Sequence, residues 1–166
     1  EISGTFANST IEGGDGDDTL VLSNNNLVTT TIGGIETTLL TTGSRSDITA
    51  SQAALLGTLS LSGVTSSRLN IVDDGSTGAQ SADLTGLSLA DGQSLYIYTG
   101  SFAAGDRLSI DAGGTFGGDS FVRLLGGNAD ETLIGGAGDD SLDGRSGDDL
   151  LRGADGNDTL YGGDED

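Results

Sequence analysis

The chain has 166 residues, about the length of one ordinary domain, and it contains neither His nor Cys. That composition excludes the His- and Cys-dependent nucleophilic triads, the usual zinc sites and iron–sulfur clusters. Its formal charge is -20, from 26 acidic residues against six arginines, which argues against nucleic acid and anionic lipid as partners. Thirty glycines without a proline favour many tight turns between short strands.

The first element in chain order is a nonapeptide repeat. Residues 13–21 read GGDGDDTLV, and residues 4–12, one period earlier, read GTFANSTIE with the glycines and the acid largely lost. The unit has the form G-G-x-G-x-D-x-L-x. Glycine permits positive φ and close approach of backbone carbonyls, Asp supplies a hard anionic oxygen, and the Leu of a short strand points into a core.

The middle of the chain lacks the repeat but keeps short β-rich runs separated by Gly, Ser, Asp and Asn. These runs are residues 35–40, 59–61, 69–72, 84–89, 95–98, 108–110 and 121–125. They suit either further rungs of a parallel β-helix or an antiparallel sandwich. We favour the β-helix, because a continuous solenoid covers the rungs next to each repeat array and leaves no bare edge strands.

One middle segment has a helical pattern. Asp47 or Thr49 is placed to cap a helix over residues 50–56, and Gly57 is placed to end it. We expect a helix that decorates the solenoid, as a lid over one end or an excursion between rungs.

Two other features of the middle region admit a ligand but have plainer explanations. Tyr96 and Tyr98 alternate with apolar residues, so both should lie on one side of a strand. There they could form a small sugar-contacting face or be ordinary surface residues. Arg107 and Arg123 could recognise a carboxylated sugar, although lone arginines on a polyanion more often relieve local repulsion. The acidic turn that begins at Asp73 is more simply a solvated turn than a further calcium turn.

The C-terminal region returns to the nonapeptide without a slip in register. Its units are residues 126–134 (GGNADETLI), 135–143 (GGAGDDSLD), 144–152 (GRSGDDLLR) and 153–161 (GADGNDTLY), followed by 162–166. Two units form one rung of turn, strand, turn and strand, and rungs stack as parallel strands. We expect Leu133, Leu142, Leu150 and Leu160 to fill the interior.

Stacked turns bring oxygens of one repeat beside those two repeats later, which assembles the roughly six to eight oxygen ligands of Ca²⁺. Asp140 is therefore expected to share an ion with the turn at Gly153, and Asp149 with the turn at Gly162. The turn at Gly126 pairs with the turn at Gly144 in the same way.

The predicted metal ligands are side-chain or backbone oxygens of the turns. They are Gly13, Asp15, Gly16, Asp18, Gly127, Ala129, Glu131, Gly136, Gly138, Asp140, Arg145, Gly147, Asp149, Ala154, Gly156, Asp158 and Gly163. Ala129 and Glu131 depart from the motif, so we expect weak binding or none at that turn. Arg145 and Ala154 replace second-position glycines but keep the carbonyl groups.

The in-register copies with Asp140, Asp149 and Asp158, and the separate copy with Asp18, resemble the repeats-in-toxin (RTX) family. The resemblance implies a right-handed parallel β-roll, folding triggered by calcium outside the cell, and export by a type I secretion system of a Gram-negative bacterium. Residues 82–87 and 35–37 are similar to stretches of large RTX exoproteins, adhesins and surface-layer proteins. Because the chain begins at Glu1 without an initiator Met, we expect a fragment of such a protein.

We therefore predict an all-β protein, a right-handed parallel β-roll or β-helix, folded as one solenoid domain. It comprises an N-terminal repeat pair (1–22), divergent β-rich rungs (23–125) and an RTX array (126–166). The predicted function is that of a non-catalytic module of a secreted or cell-surface protein, an adhesin or surface layer, that binds several Ca²⁺ ions. Its other expected partners are neighbouring rungs or domains of the parent protein and a cell-surface glycan, without membrane insertion.

Two alternatives remain open from the sequence. The first is an accessory module of a secreted protease, lipase or polysaccharide epimerase, which aids export and substrate engagement. The second is glycan hydrolysis by a pair of carboxylates in the middle region.

Overall fold

The computed structural model describes residues 10–22, 31–41, 45–53, 55–76 and 78–164, so the expected repeat at 4–12 lies mostly outside the described residues. Within these ranges the regular secondary structure is almost entirely β-strand, as the glycine-punctuated sequence predicts. The strands are β1 (Thr10–Glu12), β2 (Thr19–Leu22), β3 (Thr31–Gly33), β4 (Thr37–Thr41), β5 (Arg45–Thr49), β6 (Thr58–Ser62), β7 (Ser66–Val72), β8 (Ala79–Asp83), β9 (Leu87–Leu89), β10 (Ser94–Tyr98), β11 (Arg107–Asp111), β12 (Thr115–Phe116), β13 (Phe121–Leu125), β14 (Asp130–Ala137), β15 (Ser141–Ser146), β16 (Leu150–Asp155) and β17 (Thr159–Asp164), and the helix is α1 (Ala50–Ala53).

Strand pairing within the sheets is parallel, and neighbouring strands in a sheet come from successive circuits of the chain. The sheets have the orders β17-β15-β13-β10-β7-β5, β16-β14-β11-β8 and β12-β9-β6-β4-β2, with β1 paired to β3. Parallel strands connected in this way form a solenoid. The parallel β-helix prediction is therefore confirmed for the middle region, and the antiparallel sandwich is wrong.

The circuits differ in length between the middle and the C-terminal array. Ser88 pairs with Thr115, so one middle rung takes 27 residues, whereas Ser141 pairs with Thr159, so one array rung takes 18. A middle rung visits all three larger sheets, as β6, β7 and β8 do, but an array rung visits only two. The chain is thus a three-sided helix that continues into a two-sided roll.

Alternate residues of each strand point into a continuous core. In β10 Leu95 and Ile97 are fully buried, and in the array Leu142 is fully buried. The expectation that Leu150 faces the interior is wrong: its side chain is 63% exposed, and its neighbour Leu151 pairs with the core residue Leu133. Leu150 stands at position seven of its repeat. Because side chains alternate along a strand, the residue at this position points outward.

The helix is shorter than predicted, and Thr49 is its cap. Thr49 Oγ1 accepts a hydrogen bond from Gln52 N (3.3 Å), and Gln52 Oε1 accepts one from Thr49 N (2.8 Å), which is a capping box. Asp47 instead accepts a hydrogen bond from Arg45 Nε at 3.0 Å. Helix α1 takes the place of a third strand in its rung and packs against the edge strand β8. In the described part of the chain no helix has the length and apolarity to cross a membrane.

Candidate metal sites

The carboxylates at position six of the repeats point between stacked turns and are held there by the backbone of the previous rung. Asp140 Oδ1 accepts a hydrogen bond from Val122 N (2.8 Å), and Asp158 Oδ1 accepts one from Asp140 N (3.0 Å). Asp149 Oδ1 accepts one from Glu131 N (2.8 Å). Each pair is 18 residues apart, so the rung period aligns Asp140 with Asp158 along one edge of the roll and Glu131 with Asp149 along the other.

The second oxygen of several of these carboxylates is buried without a hydrogen-bond partner. This holds for Oδ2 of Asp18 and Asp140 and for Oε2 of Glu131. An anionic oxygen in such a place is costly unless a cation compensates it. Burial accordingly raises the pKa of Asp140 to about 7, and burial together with nearby Asp149 raises the pKa of Glu131 to about 8.

Backbone carbonyls from the later turn converge on the same spaces. Asp140 Oδ2 and the carbonyl oxygen of Gly153 lie 2.5 and 2.8 Å from the point that a Cβ on Gly135 would occupy. Around the Cβ position of Gly144, the same arrangement joins Asp149 Oδ2 and the carbonyl oxygen of Gly162. A position-one glycine thus leaves a space lined by oxygens of two turns that are two repeats apart.

The equivalent space at Gly126 contains Glu131 Oε2, at 3.0 Å from the Cβ position, and the carbonyl oxygen of Gly144. This turn differs from the others, because neither Gly127 nor Ala129 has positive φ. The longer side chain of Glu131 places Oε1 where it accepts hydrogen bonds from Gly127 N (3.0 Å) and Thr99 Oγ1 (3.1 Å). Glu131 thereby ties the first turn of the roll to the last three-sided rung.

Positions two and four of the repeats adopt positive φ in the other turns. At position two, Gly136 has this conformation, and Arg145 (φ 76°) and Ala154 (φ 84°) keep it although they replace glycine. The fourth-position residues with positive φ are Gly16, Gly138, Gly147 and Gly156. The carbonyl oxygens of Ala129, Gly138 and Arg145 each lie against the glycine 18 residues later, which is Gly147, Gly156 and Gly163 respectively.

The N-terminal turn repeats the arrangement with a partner that sequence reasoning missed. Asp18 Oδ2 lies 2.7 Å from the Cβ position of Gly13, beside the carbonyl oxygen of Gly34. Asp18 N donates to Glu36 Oε2 (2.7 Å), so Glu36 takes the role that Asp158 has for Asp140. Its position 18 residues after Asp18, behind two glycines, is the signal that could have identified it. Asp15 and Gly16 are exposed at the outside of this turn.

The donor set consists of carboxylates supplemented by carbonyls. Within the ranges that the structure describes, no group of three or more acidic side chains could hold a metal by itself. Calcium accepts such mixed oxygen ligands with flexible geometry, whereas Mg²⁺ dehydrates reluctantly and demands octahedral geometry. The buried, uncompensated oxygens therefore fit Ca²⁺.

The turn of Asp158 differs from these turns. Asp158 Oδ2 lies against Gly153, but among the described residues no later rung supplies oxygens from the other side.

Comparison with known proteins agrees with this chemistry. A family model described as RTX calcium-binding nonapeptide repeat (4 copies) matches residues 1–26, 125–160 and 143–166. No curated protein and no solved structure matches the chain. The matched ranges contain the stacked turns around Asp18 and Asp140, while the three-sided rungs between them are unmatched.

Proposed function

We propose that this chain, whose two ends match the RTX calcium-binding nonapeptide repeat, folds in response to extracellular calcium. Its repeats bind several Ca²⁺ ions and form a structural module that is not itself catalytic. The observation that carries the proposal is the set of buried carboxylate oxygens, at Asp18 and Asp140 among others, that lack hydrogen-bond partners between stacked turns.

The proposed mechanism couples folding to binding. Without a cation, closing the roll buries carboxylate oxygens in several turns of a chain that already carries a charge of -20. Bound calcium supplies the compensating positive charge. Asp18, Asp140 and Asp149, with carbonyls such as that of Gly153, are the groups that would hold it. Folding and ion binding then occur as one event.

RTX repeats are typical of secreted bacterial proteins. In a secreted protein, the coupling of folding to calcium binding would delay folding until the chain has left the cell. We propose that low cytosolic calcium leaves the array open for type I export from a Gram-negative cell. External calcium, in the range of roughly 10⁻⁴ to 10⁻³ M for extracellular modules, then closes it. The long parallel sheet from β5 to β17 supports a role as a rigid spacer in an adhesin or surface layer. A catalytic domain adjoining the module in the parent protein would favour the enzyme-accessory alternative instead.

The proposal is tested by far-UV circular dichroism during calcium titration, with magnesium as the comparison ion. We expect a cooperative gain of β signal with calcium only. Asp140→Asn should raise the calcium midpoint several-fold, because it removes a ligand charge while the amide oxygen can still accept from Val122 N. Asp148→Asn is the matched control, since Asp148 is exposed in the same array and its loss removes equal charge.

Two results would count against the proposal. One is a β signal that is complete in chelator and does not grow with calcium. The other is an equal rise in calcium midpoint for Asp140→Asn and Asp148→Asn, which would reduce the effect to overall charge.

A further inference from the structure

The outward face of the six-stranded sheet has a composition unlike the rest of the molecule. It carries four of the six arginines and all three tyrosines of the chain. We use the name arginine face for the outward side chains of Arg45, Arg68, Tyr96, Tyr98, Arg123 and Arg145. Three of the arginines lie on the three-sided rungs, outside the ranges that the family model matches.

Strand register aligns much of this face in one row. Arg45 pairs with Arg68, Arg68 with Tyr96, and Tyr96 with Arg123. The row continues through Ser141 to Thr159, so it contains no carboxylate in a chain with 26 acidic residues. Neighbouring strands are roughly 4.8 Å apart, so cationic side chains recur at one- and two-strand intervals along the solenoid axis.

The row beside it holds two carboxylates, Asp47 and Asp143, against the four arginines of the face. The carboxylate of Asp47 already accepts a hydrogen bond from Arg45 Nε (3.0 Å). The same row brings Tyr98 under Arg68, with the guanidinium carbon 4.4 Å from the ring centroid and the hydroxyl 3.3 Å from the guanidinium nitrogen. This stacking fixes the Arg68 guanidinium on the surface.

Two adjoining depressions of about 320 and 280 Å³ lie in this face, and Arg45, Arg68 and Tyr98 line both. Arg145 lines the larger one. Its backbone has φ 76°, a conformation that glycine adopts without strain and that the repeat normally assigns to glycine. Ala154 has the same conformation in the next repeat, so the turn sets this backbone, and the arginine at this position brings a fourth cationic side chain to the face.

We propose that the arginine face binds an acidic polysaccharide, a chain of uronate-bearing sugars laid along the solenoid axis. Arginine matches carboxylates in a bidentate manner, and the rings of Tyr96 and Tyr98 offer apolar surfaces to sugar rings. The face is shallow and continuous over several strands, which suits a linear polymer. The aromatic rings among the arginines favour a polysaccharide over an acidic polypeptide. The proposal rests on the proposed function only in that calcium must fold the roll, whose strand β15 carries Arg145.

The test is isothermal titration calorimetry of the full chain with hyaluronate oligosaccharides, at equal saturating calcium in cell and syringe. Neutral maltooligosaccharides and poly-glutamate of matched charge are the comparison ligands. We expect Arg68→Gln with Arg123→Gln to weaken hyaluronate binding at least tenfold. The control is Arg107→Gln with Arg152→Gln, which removes the same charge from exposed sites on the four-stranded sheet and should change affinity less than twofold.

Circular dichroism of each variant in calcium separates the two proposals. If calcium fails to fold the unmodified chain, the proposed function fails. If the chain folds but hyaluronate does not bind, only the polysaccharide proposal is overturned. Equal losses in the two double variants, or tighter binding of poly-glutamate than of hyaluronate, would also overturn it.

Discussion

At the residue scale, the first glycine of each repeat has a role beyond backbone freedom. A Cβ at Gly135 would enter the space shared by Asp140 Oδ2 and the carbonyl oxygen of Gly153. Gly135 has no positive φ, so alanine would fit its backbone conformation. The glycine is therefore needed for the room that it leaves to an ion and to the oxygens around it.

This distinction predicts the effect of Gly135→Ala. The added methyl group should obstruct one ion site and raise the calcium midpoint of folding at least tenfold. Gly100→Ala is the matched control, because Gly100 also lacks positive φ and a Cβ there meets no atom within 4 Å. The calcium midpoint of Gly100→Ala should stay within twofold of the midpoint of the unmodified chain. Calorimetric ion counts would contradict the idea if Gly135→Ala still bound the full number of ions.

Individual residues of the sites were predictable to different degrees. The nine-residue spacing places Asp140 and Asp149 on one period, since each Asp follows a recognisable glycine turn. It could not separate Leu150 from Leu151, because the two leucines are adjacent and only strand alternation decides which is inward. Glu36 was missed because, in the two-repeat register from Asp18, Thr31 and Ile32 replace the first two glycines and glutamate replaces the aspartate of the motif.

At the element scale, the stack of turns behaves as a column of buried acids when calcium is removed. The pKa of Asp140 is raised to about 7 by burial, against an unfolded value of about 4. Between these values the folded state holds a proton that the unfolded chain has released. The stabilisation by that proton is present below pH 4 and is lost as pH rises through 7.

In chelator we therefore expect protons to replace calcium only at the acidic end of the range, so that the thermal midpoint of the array falls as pH rises from 5 and the folded array is lost by pH 8. Asp140→Asn should flatten part of this slope, because the amide is neutral without binding a proton. In saturating calcium the decline should vanish, since the ion compensates the charged form. Differential scanning calorimetry across this pH range measures both slopes. A midpoint that rises with pH in chelator would contradict the assignment.

The elements themselves were only partly predictable. The β-rich runs coincide with strands such as β7 and β10, because β-branched and aromatic residues mark them. The number of sides per rung was not predictable, since it depends on which circuits pair in space and not on local composition. The capping box of Thr49 and Gln52 was half recognised: Thr49 was one of two candidate caps, and the return bond from Gln52 decides between them.

At the scale of the whole molecule, stability is distributed along one axis, because each rung contacts only its neighbours. The three-sided rungs enclose a dense apolar core that includes Leu69, Leu95, Ile97 and Phe102, all buried. The roll offers about one inward leucine per strand, and Leu160 on its last strand is 46% exposed. Apolar burial thus supports the middle, while the roll depends on compensation of its buried carboxylates.

This division predicts two stages of protection in hydrogen exchange. In chelator, amides of the three-sided rungs from β6 to β11 should stay protected, while those of β15 to β17 exchange rapidly. Adding calcium should slow exchange in the roll by orders of magnitude and leave the middle rungs nearly unchanged. Exchange mass spectrometry with peptides from each segment resolves the two. Uniform protection in chelator would mean that the roll needs no ion, and uniform loss would mean that the roll and the three-sided helix unfold as one unit.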